Sequence, residues 1–187
     1  MELRKLRSEL IGELIIKYNL RNICEIGLSR GDNIRGIRRY LKEKVGYKHL
    51  MHLVYGIDPG TTALTSPLFK LDLEGLSNWS PFRHLPYTSD DAMEYIKVPL
   101  DLVFVDGSHE PKQIEKDIIN YTKLIRNGGI LVVDDYNDLT GKGIKEVHNR
   151  IIGANNLNIQ LDSRLESGTD NWLAWTFIKN GKYSKEL

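Results

Sequence analysis

Three aspartates and a histidine carry the strongest chemical signal in the chain. Asp106 closes the apolar run LDLVFV at 100–105, and Asp134 and Asp135 close the run ILVV at 130–133. If the two runs are neighbouring strands, their tips lie about 4.8 Å apart, and three carboxylates crowd one crevice. Left alone such groups repel one another, and some must hold a proton. A hard divalent cation such as Mg2+ removes the conflict, because it takes oxygen ligands and keeps water positions open. Asp106, Asp134 and Asp135 are therefore the candidate metal ligands. A substrate hydroxyl bound to that cation gives up its proton more readily. His109, three residues on in Asp106-Gly107-Ser108-His109, is the candidate general base, since imidazole works near neutral pH. The plainer readings are a backbone-bonded histidine at a helix start and a solvated aspartate pair in a turn. Consecutive strand residues face opposite ways, so Asp134 and Asp135 need not both reach the ion.

A second constellation lies near the N-terminus. The apolar run at 22–27 leads into Glu25-Ile26-Gly27-Leu28-Ser29-Arg30-Gly31 and then into a helical pattern. Glycines there let the backbone turn tightly and approach a ligand. In an open α/β sheet, ligands bind beyond the carboxyl ends of the strands, which places a nucleotide-like group on this loop. The pattern departs from the dinucleotide fingerprint G-x-G-x-x-G: Glu25 stands where the first glycine belongs, and the later spacing is one residue longer. A carboxylate repels a pyrophosphate but suits a group with a cationic amino-acid end. Asp58 closes the next apolar run, and a carboxylate at that place accepts hydrogen bonds from ribose hydroxyls. Asp58 also precedes Pro59-Gly60 and suits a plain turn.

These residues need a scaffold that brings strand tips together, and the hydrophobic pattern supplies one. Leu3, Leu6, Leu10 and Leu14 recur at helical spacing over about 2–19. A first strand follows at 22–27, and Ile34, Ile37, Leu41 and Val45 mark a second helix. Residues 49–57 read as a strand, 60–81 are irregular, 82–87 form a weak strand, and Ser89-Asp90-Asp91 starts a helix to about 97. The run 100–105 has the near-continuous apolar character of a strand buried on both faces. Pro111 opens a helix whose stripe is Ile114, Ile118, Tyr121 and Ile125, with Asn127-Gly128-Gly129 ending it. A strand at 130–133, a helix marked by Ile144, Val147 and Ile151, and strands at 157–161 and 172–178 complete the chain. The alternation predicts a Rossmann-like, doubly wound α/β sheet, mostly parallel, with an antiparallel C-terminal strand.

Bulk properties narrow the function classes. The 187 residues fit a single domain, 1–187, with an N-terminal helix (1–20), a ligand-binding core (22–152) and a C-terminal strand pair (153–187). A net charge of +1 gives no support to a broad nucleic-acid surface. Arg35, Arg38, Arg39, Lys42 and Lys44 alternate with core positions and read as the solvated face of a helix. One cysteine, Cys24, cannot make an internal disulfide, which suits a cytoplasmic protein. The N-terminus lacks the pattern of a signal peptide, and no segment reaches the roughly 18 apolar residues of a membrane span. Trp79, Trp172 and Trp175 are expected to pack in the core or on an edge strand rather than line a substrate pocket.

The motif Glu25-x-Gly27-x-x-x-Gly31 with Asp58 resembles the glycine-rich motif and ribose-binding acid of class I S-adenosyl-L-methionine (SAM)-dependent methyltransferases. The segment DLVFVDGSHEPKQIEKDIINYTKLIRNGGILVVDDY is similar to the subfamily that includes macrocin-type sugar O-methyltransferases, with catechol O-methyltransferase more distant. The resemblance spans roughly 23–152. It implies a sheet of seven strands and SAM held by Glu25, Gly27, Ser29, Gly31, Asp58, Ser89 and Asp106. It further implies Mg2+ or another divalent cation on Asp106, Asp134 and Asp135, with His109 and Asp106 catalytic. Where the family often has an aromatic, this chain has Glu110-Pro111. The expected activity is methylation of a hydroxyl on a small polyhydroxylated acceptor, sugar-like or catechol-like, with a homo-oligomer left open. The rival readings are a noncatalytic SAM-binding module, a nucleic-acid methyltransferase and an NAD-dependent oxidoreductase. Asp106-Gly107-Ser108-His109 differs from the Asp/Asn-Pro-Pro-aromatic motif of amino-directed base methyltransferases, and Glu25 argues against a dinucleotide.

Overall fold

A computed structural model describes residues 2–46, 51–60, 75–136, 143–154, 159–161 and 174–178. The chain forms two compact units, Met1–Tyr95 and Ile96–Leu187.

In the first unit, helix α1 (Glu2–Tyr18) leads into β1 (Asn22–Ile26), α2 (Asp32–Val45), β2 (Leu53–Ile57), β3 (Phe82–Leu85) and the short α3 (Ser89–Ala92). The strands lie in the order β3-β2-β1 and are all parallel, with Glu25 opposite Gly56 and Ile57 opposite Leu85. Parallel pairing puts the loops after β1, β2 and β3 at one edge of this sheet. The sequence placed the apolar face of α1 on Leu3, Leu6, Leu10 and Leu14. Leu10 is buried as expected, but its buried companions are Ile11 and Ile15, while Leu6 and Leu14 are half-buried. Ser8, also buried, donates from Oγ to Asn33 Oδ1 (3.0 Å) and so ties α1 to the first turn of α2. Ile34, Ile37 and Leu41 form the buried stripe of α2, as their spacing predicts. The helix expected from Ser89 to about 97 stops at Ala92 and tightens into a 3-10 turn, Met93–Tyr95. Its cap is Thr88, whose Oγ accepts the Asp91 N–H at 3.2 Å.

In the second unit, β4 (Leu100–Val105), α4 (Pro111–Thr122), β5 (Ile125–Val133), α5 (Ile144–Ala154), β6 (Ile159–Leu161) and β7 (Ala174–Phe177) follow in chain order. The strand order is β4-β5-β7-β6; β4 and β5 are parallel, and β7 runs antiparallel to both of its neighbours. All six residues of β4 are buried, which is why it reads as a run that is apolar but for Asp101. Burial of such side chains stabilises by roughly 1.5–3 kcal/mol each.

One expectation fails here. The helix stripe does not extend to Ile125: α4 ends at Thr122, and β5 begins at Ile125 rather than at Ile130. Ile125 pairs with Leu100, and the ladder resumes with Leu102 opposite Ile130. The extra residues bulge outward, with Arg126, Asn127 and Gly128 exposed. The Arg126 guanidinium anchors the bulge by bonding the carboxylate of buried Asp101. No described helix is long and apolar enough to cross a membrane. Trp172 lies outside the described residues; Trp175 packs edge-on against Phe177 (5.3 Å), and Trp79 sits under the Arg38 guanidinium (5.3 Å).

Candidate active site

The loop after β1 is held open by backbone shape and by one carboxylate. Gly27 (φ +89°), Ser29 (φ +47°) and Gly31 (φ +75°) all take left-handed conformations. The N–H groups of Gly27 and Leu28 both donate to Ile57 O, at 2.9 and 3.0 Å, which fastens the loop to the end of β2. Asp58 completes the attachment: Oδ2 accepts the Ser29 N–H and Oδ1 accepts the Gly60 N–H, each at 2.7 Å. Asp58 therefore fills the turn role and fastens the glycine loop as well. Each carboxylate oxygen carries a second acceptor site, so a ribose hydroxyl pair is compatible with both bonds. Glu25 is buried (3% exposed) at the end of β1, and Asn33 Nδ2 donates to its Oε1 at 3.4 Å. Asn33 escaped the sequence reading. Its only signal was its place in the first turn of the helix that follows the glycine loop. Ser89 is the first residue of α3 and half-buried; the capping is done by Thr88.

The second unit assembles the other residues. Asp106, Gly107, Ser108, His109, Asp134 and Asp135 line one recess at the tips of β4 and β5, floored by Val105, Ile114 and Val133. The recess is shallow and opens to solvent. The Asp134 N–H donates to Val105 O at 3.0 Å, so this residue continues the ladder and is buried (4% exposed). Asp135 then turns the chain with φ +50°, a conformation aspartate tolerates better than most residues. Its Oδ2 lies 3.0 Å from His109 Nδ1. Side-chain exposure is 46% for His109 and 22% for Asp135, so solvent and substrate can reach the pair. The hydroxyl of Ser108 accepts the Glu110 N–H (3.1 Å), and Pro111 starts α4, which together anchor the short loop carrying His109.

The three aspartates do not fit the metal cage they suggest. Among the described residues, no three His, Cys, Asp or Glu side chains gather in a way that could hold a metal ion. Asp134 is buried where it borders the recess, and Asp135 faces an imidazole nitrogen. The pairing of Asp135 with His109 was also missed, because it depends on the left-handed turn at residue 135.

The family model for a methyltransferase domain matches residues 24–136, more than half of the chain and both sets of candidate residues. The chain belongs to the methyltransferase domain family. Solved structures agree on the fold. An O-methyltransferase from Bacillus cereus in complex with SAH matches with a TM-score of 0.67 and 14% identity, over 92% of this chain and 81% of that one. The O-methyltransferase TomG from Streptomyces achromogenes, in complex with SAM, matches at 0.65 and 20% identity, over 91% and 78%. An rRNA methylase from Streptococcus thermophilus matches at 0.65 and 15% identity, over 91% and 95%. At such identities the likeness establishes the fold alone. No curated protein sequence matches the chain. Family and fold together make this methyltransferase a SAM-dependent enzyme of class I, with the Rossmann-like, mostly parallel sheet and antiparallel C-terminal strand expected from its sequence.

Proposed function

We propose that this methyltransferase transfers the SAM methyl group to a hydroxyl of a small polyhydroxylated acceptor, sugar-like or catechol-like. The observation that carries the reading is the exposed imidazole of His109 in a solvent-open recess, because a hydroxyl needs a base while a soft or already anionic acceptor does not. On the cofactor side, Glu25 offers a buried carboxylate to the cationic amino-acid end of SAM. Gly27, Ser29 and Gly31 keep the loop low enough for the ligand to approach. The second acceptor sites of Asp58 suit the ribose hydroxyls, and Ser89 suits the adenine side. Asp106 is assigned to the cofactor and to the reaction.

SAM supplies a methyl group on a sulfonium. The acceptor oxygen forms the new C–O bond as the C–S bond breaks, and the electron pair stays on sulfur. The hydroxyl proton passes to His109 Nε2 and then to water, so atoms and charge balance. Alignment of oxygen, carbon and sulfur supplies much of the rate, and His109 adds about 10²–10⁴-fold. Divalent-metal assistance is implied by the family resemblance, but the three aspartates do not support it, and no step is routed through a cation.

Calorimetry with SAM, followed by transfer of labelled methyl to panels of sugars, catechols and ribosomal RNA, tests the proposal. Saturable SAM binding and alkali-stable label on a hydroxylated small molecule are expected. Binding without transfer to any acceptor would instead make the protein a SAM-binding module. Label on RNA alone would favour the activity named for the Streptococcus thermophilus neighbour.

A further inference from the structure

The recess at the tips of β4 and β5 holds an arrangement that a three-carboxylate metal site does not call for. His109 Nδ1 faces Asp135 Oδ2 at 3.0 Å. An ionised carboxylate only accepts hydrogen bonds, so a neutral ring facing one carries its proton on Nδ1 and its lone pair on Nε2. Asp135 reaches this place through its left-handed backbone (φ +50°), while Asp134 stays buried in the ladder. Two adjacent acids thus serve different environments. The loop between Asp106 and Pro111 is short, and the Ser108 hydroxyl pins it just before the helix that Pro111 starts.

We propose that Asp135 is a positioning residue for His109, and that this pair activates the acceptor hydroxyl in place of a cation held by Asp106, Asp134 and Asp135. The inference rests on the O-methyltransferase reading above. Asp135 fixes the tautomer and aim of the ring and balances the charge that arises when Nε2 takes the hydroxyl proton, the role a carboxylate plays behind a catalytic histidine elsewhere.

The test uses the full chain labelled with ¹⁵N. The imidazole shifts of His109 should report a proton on Nδ1 in the wild type and a mixed or reversed tautomer in Asp135→Asn, whose amide can donate as well as accept. In the same variant kcat should fall on the order of 10²-fold, with KM for SAM unchanged. Turnover of the wild type should survive exhaustive chelation, and titration with Mg2+ alone should give no binding heat. An Nε2-protonated ring in the wild type would overturn the proposal, as would full kcat in Asp135→Asn. So would loss of turnover on chelation that Mg2+ restores. If the variant fails to fold, the wild-type tautomer and the chelation result decide. A protein that binds no SAM would bring down the methyltransferase reading, and the NMR result would still decide the pair.

Discussion

Replacing Gly31 with alanine should weaken both the fold and the hold on SAM, and the structure provides an internal control for the size of the effect. Gly31 sits at φ +75°, and a Cβ there would stand 2.5 Å from Cδ1 of Leu76, a fully buried side chain. Gly46, just after α2, has nearly the same φ (+74°) but a ψ of 173° where Gly31 has 19°, and nothing lies within 4 Å of its virtual Cβ. Left-handed backbone costs a non-glycine residue about 1–2 kcal/mol; the conformation of Gly46 is essentially reserved for glycine and costs another residue about 1–3 kcal/mol, so Gly46→Ala reads backbone strain without a steric clash. Forcing Leu76 aside adds an overpacking cost of about 1–3 kcal/mol. Gly31→Ala should therefore lose about 2–5 kcal/mol where Gly46→Ala loses about 1–3. In a chain of this length each kcal/mol lowers Tm by roughly 2–4 °C. Urea unfolding of both variants, with calorimetry for SAM, measures the difference. SAM affinity should fall at least about tenfold in Gly31→Ala, which corresponds to about 1.4 kcal/mol, and stay unchanged in Gly46→Ala. A loss of only about 1–2 kcal/mol in Gly31→Ala, the backbone strain alone, would show that Leu76 yields freely. Undiminished SAM affinity in Gly31→Ala would refute the assignment of this loop to the cofactor.

Two further variants probe separate parts of the molecule. Asp58→Ala removes the acceptors of the Ser29 and Gly60 N–H groups; it should cost about 1–3 kcal/mol and weaken SAM binding more than tenfold in calorimetry, and full affinity would leave Asp58 a turn residue alone. Glu115 on α4 bonds Arg150 on α5 at 2.9 Å, and that guanidinium holds its carboxyl below the ordinary value of 4.5. A depressed carboxyl stabilises the fold above its unfolded value and loses that contribution as pH falls through its folded value. Glu115→Gln should therefore lose less than about 1 kcal/mol at pH 7, as exposed pairs do. The gap between wild type and variant should close in acid. Urea midpoints at pH 7 and pH 3 read this, and a gap that persists at pH 3 would exclude the pair as its source.

The elements most readable in the sequence are those whose environment is uniform along their length. Every residue of β4 is buried, so a run that is apolar but for Asp101 marks it. Pro111 marks the start of α4 because its ring suits the first helical turn. The end of α4 was misread for a physical reason. Ile125 falls in register with Ile114, Ile118 and Tyr121 and is buried like them, but it is buried in the sheet, opposite Leu100. Apolar periodicity reports that a side chain is covered, not which element covers it. The deciding contact, Arg126 on Asp101, joins residues of different strands and leaves no local pattern.

The candidate site shows the same division at finer scale. The acids at the tips of β4 and β5 could be read directly, since polar residues that end buried strands stand out. Their partners could not, because a single backbone angle decides them. With extended backbone at residue 135, alternation would carry its side chain to the face opposite Asp134 and onward along the strand direction. The left-handed turn instead ends the strand and delivers the carboxylate to His109. Asp134 meanwhile spends its backbone N–H on Val105 O and remains in the ladder. Two aspartates in a row are thus the last rung of the ladder followed by the turn that brings a carboxylate to His109. A pair of acids at a strand tip carries information about a metal only once the backbone of the second acid is known.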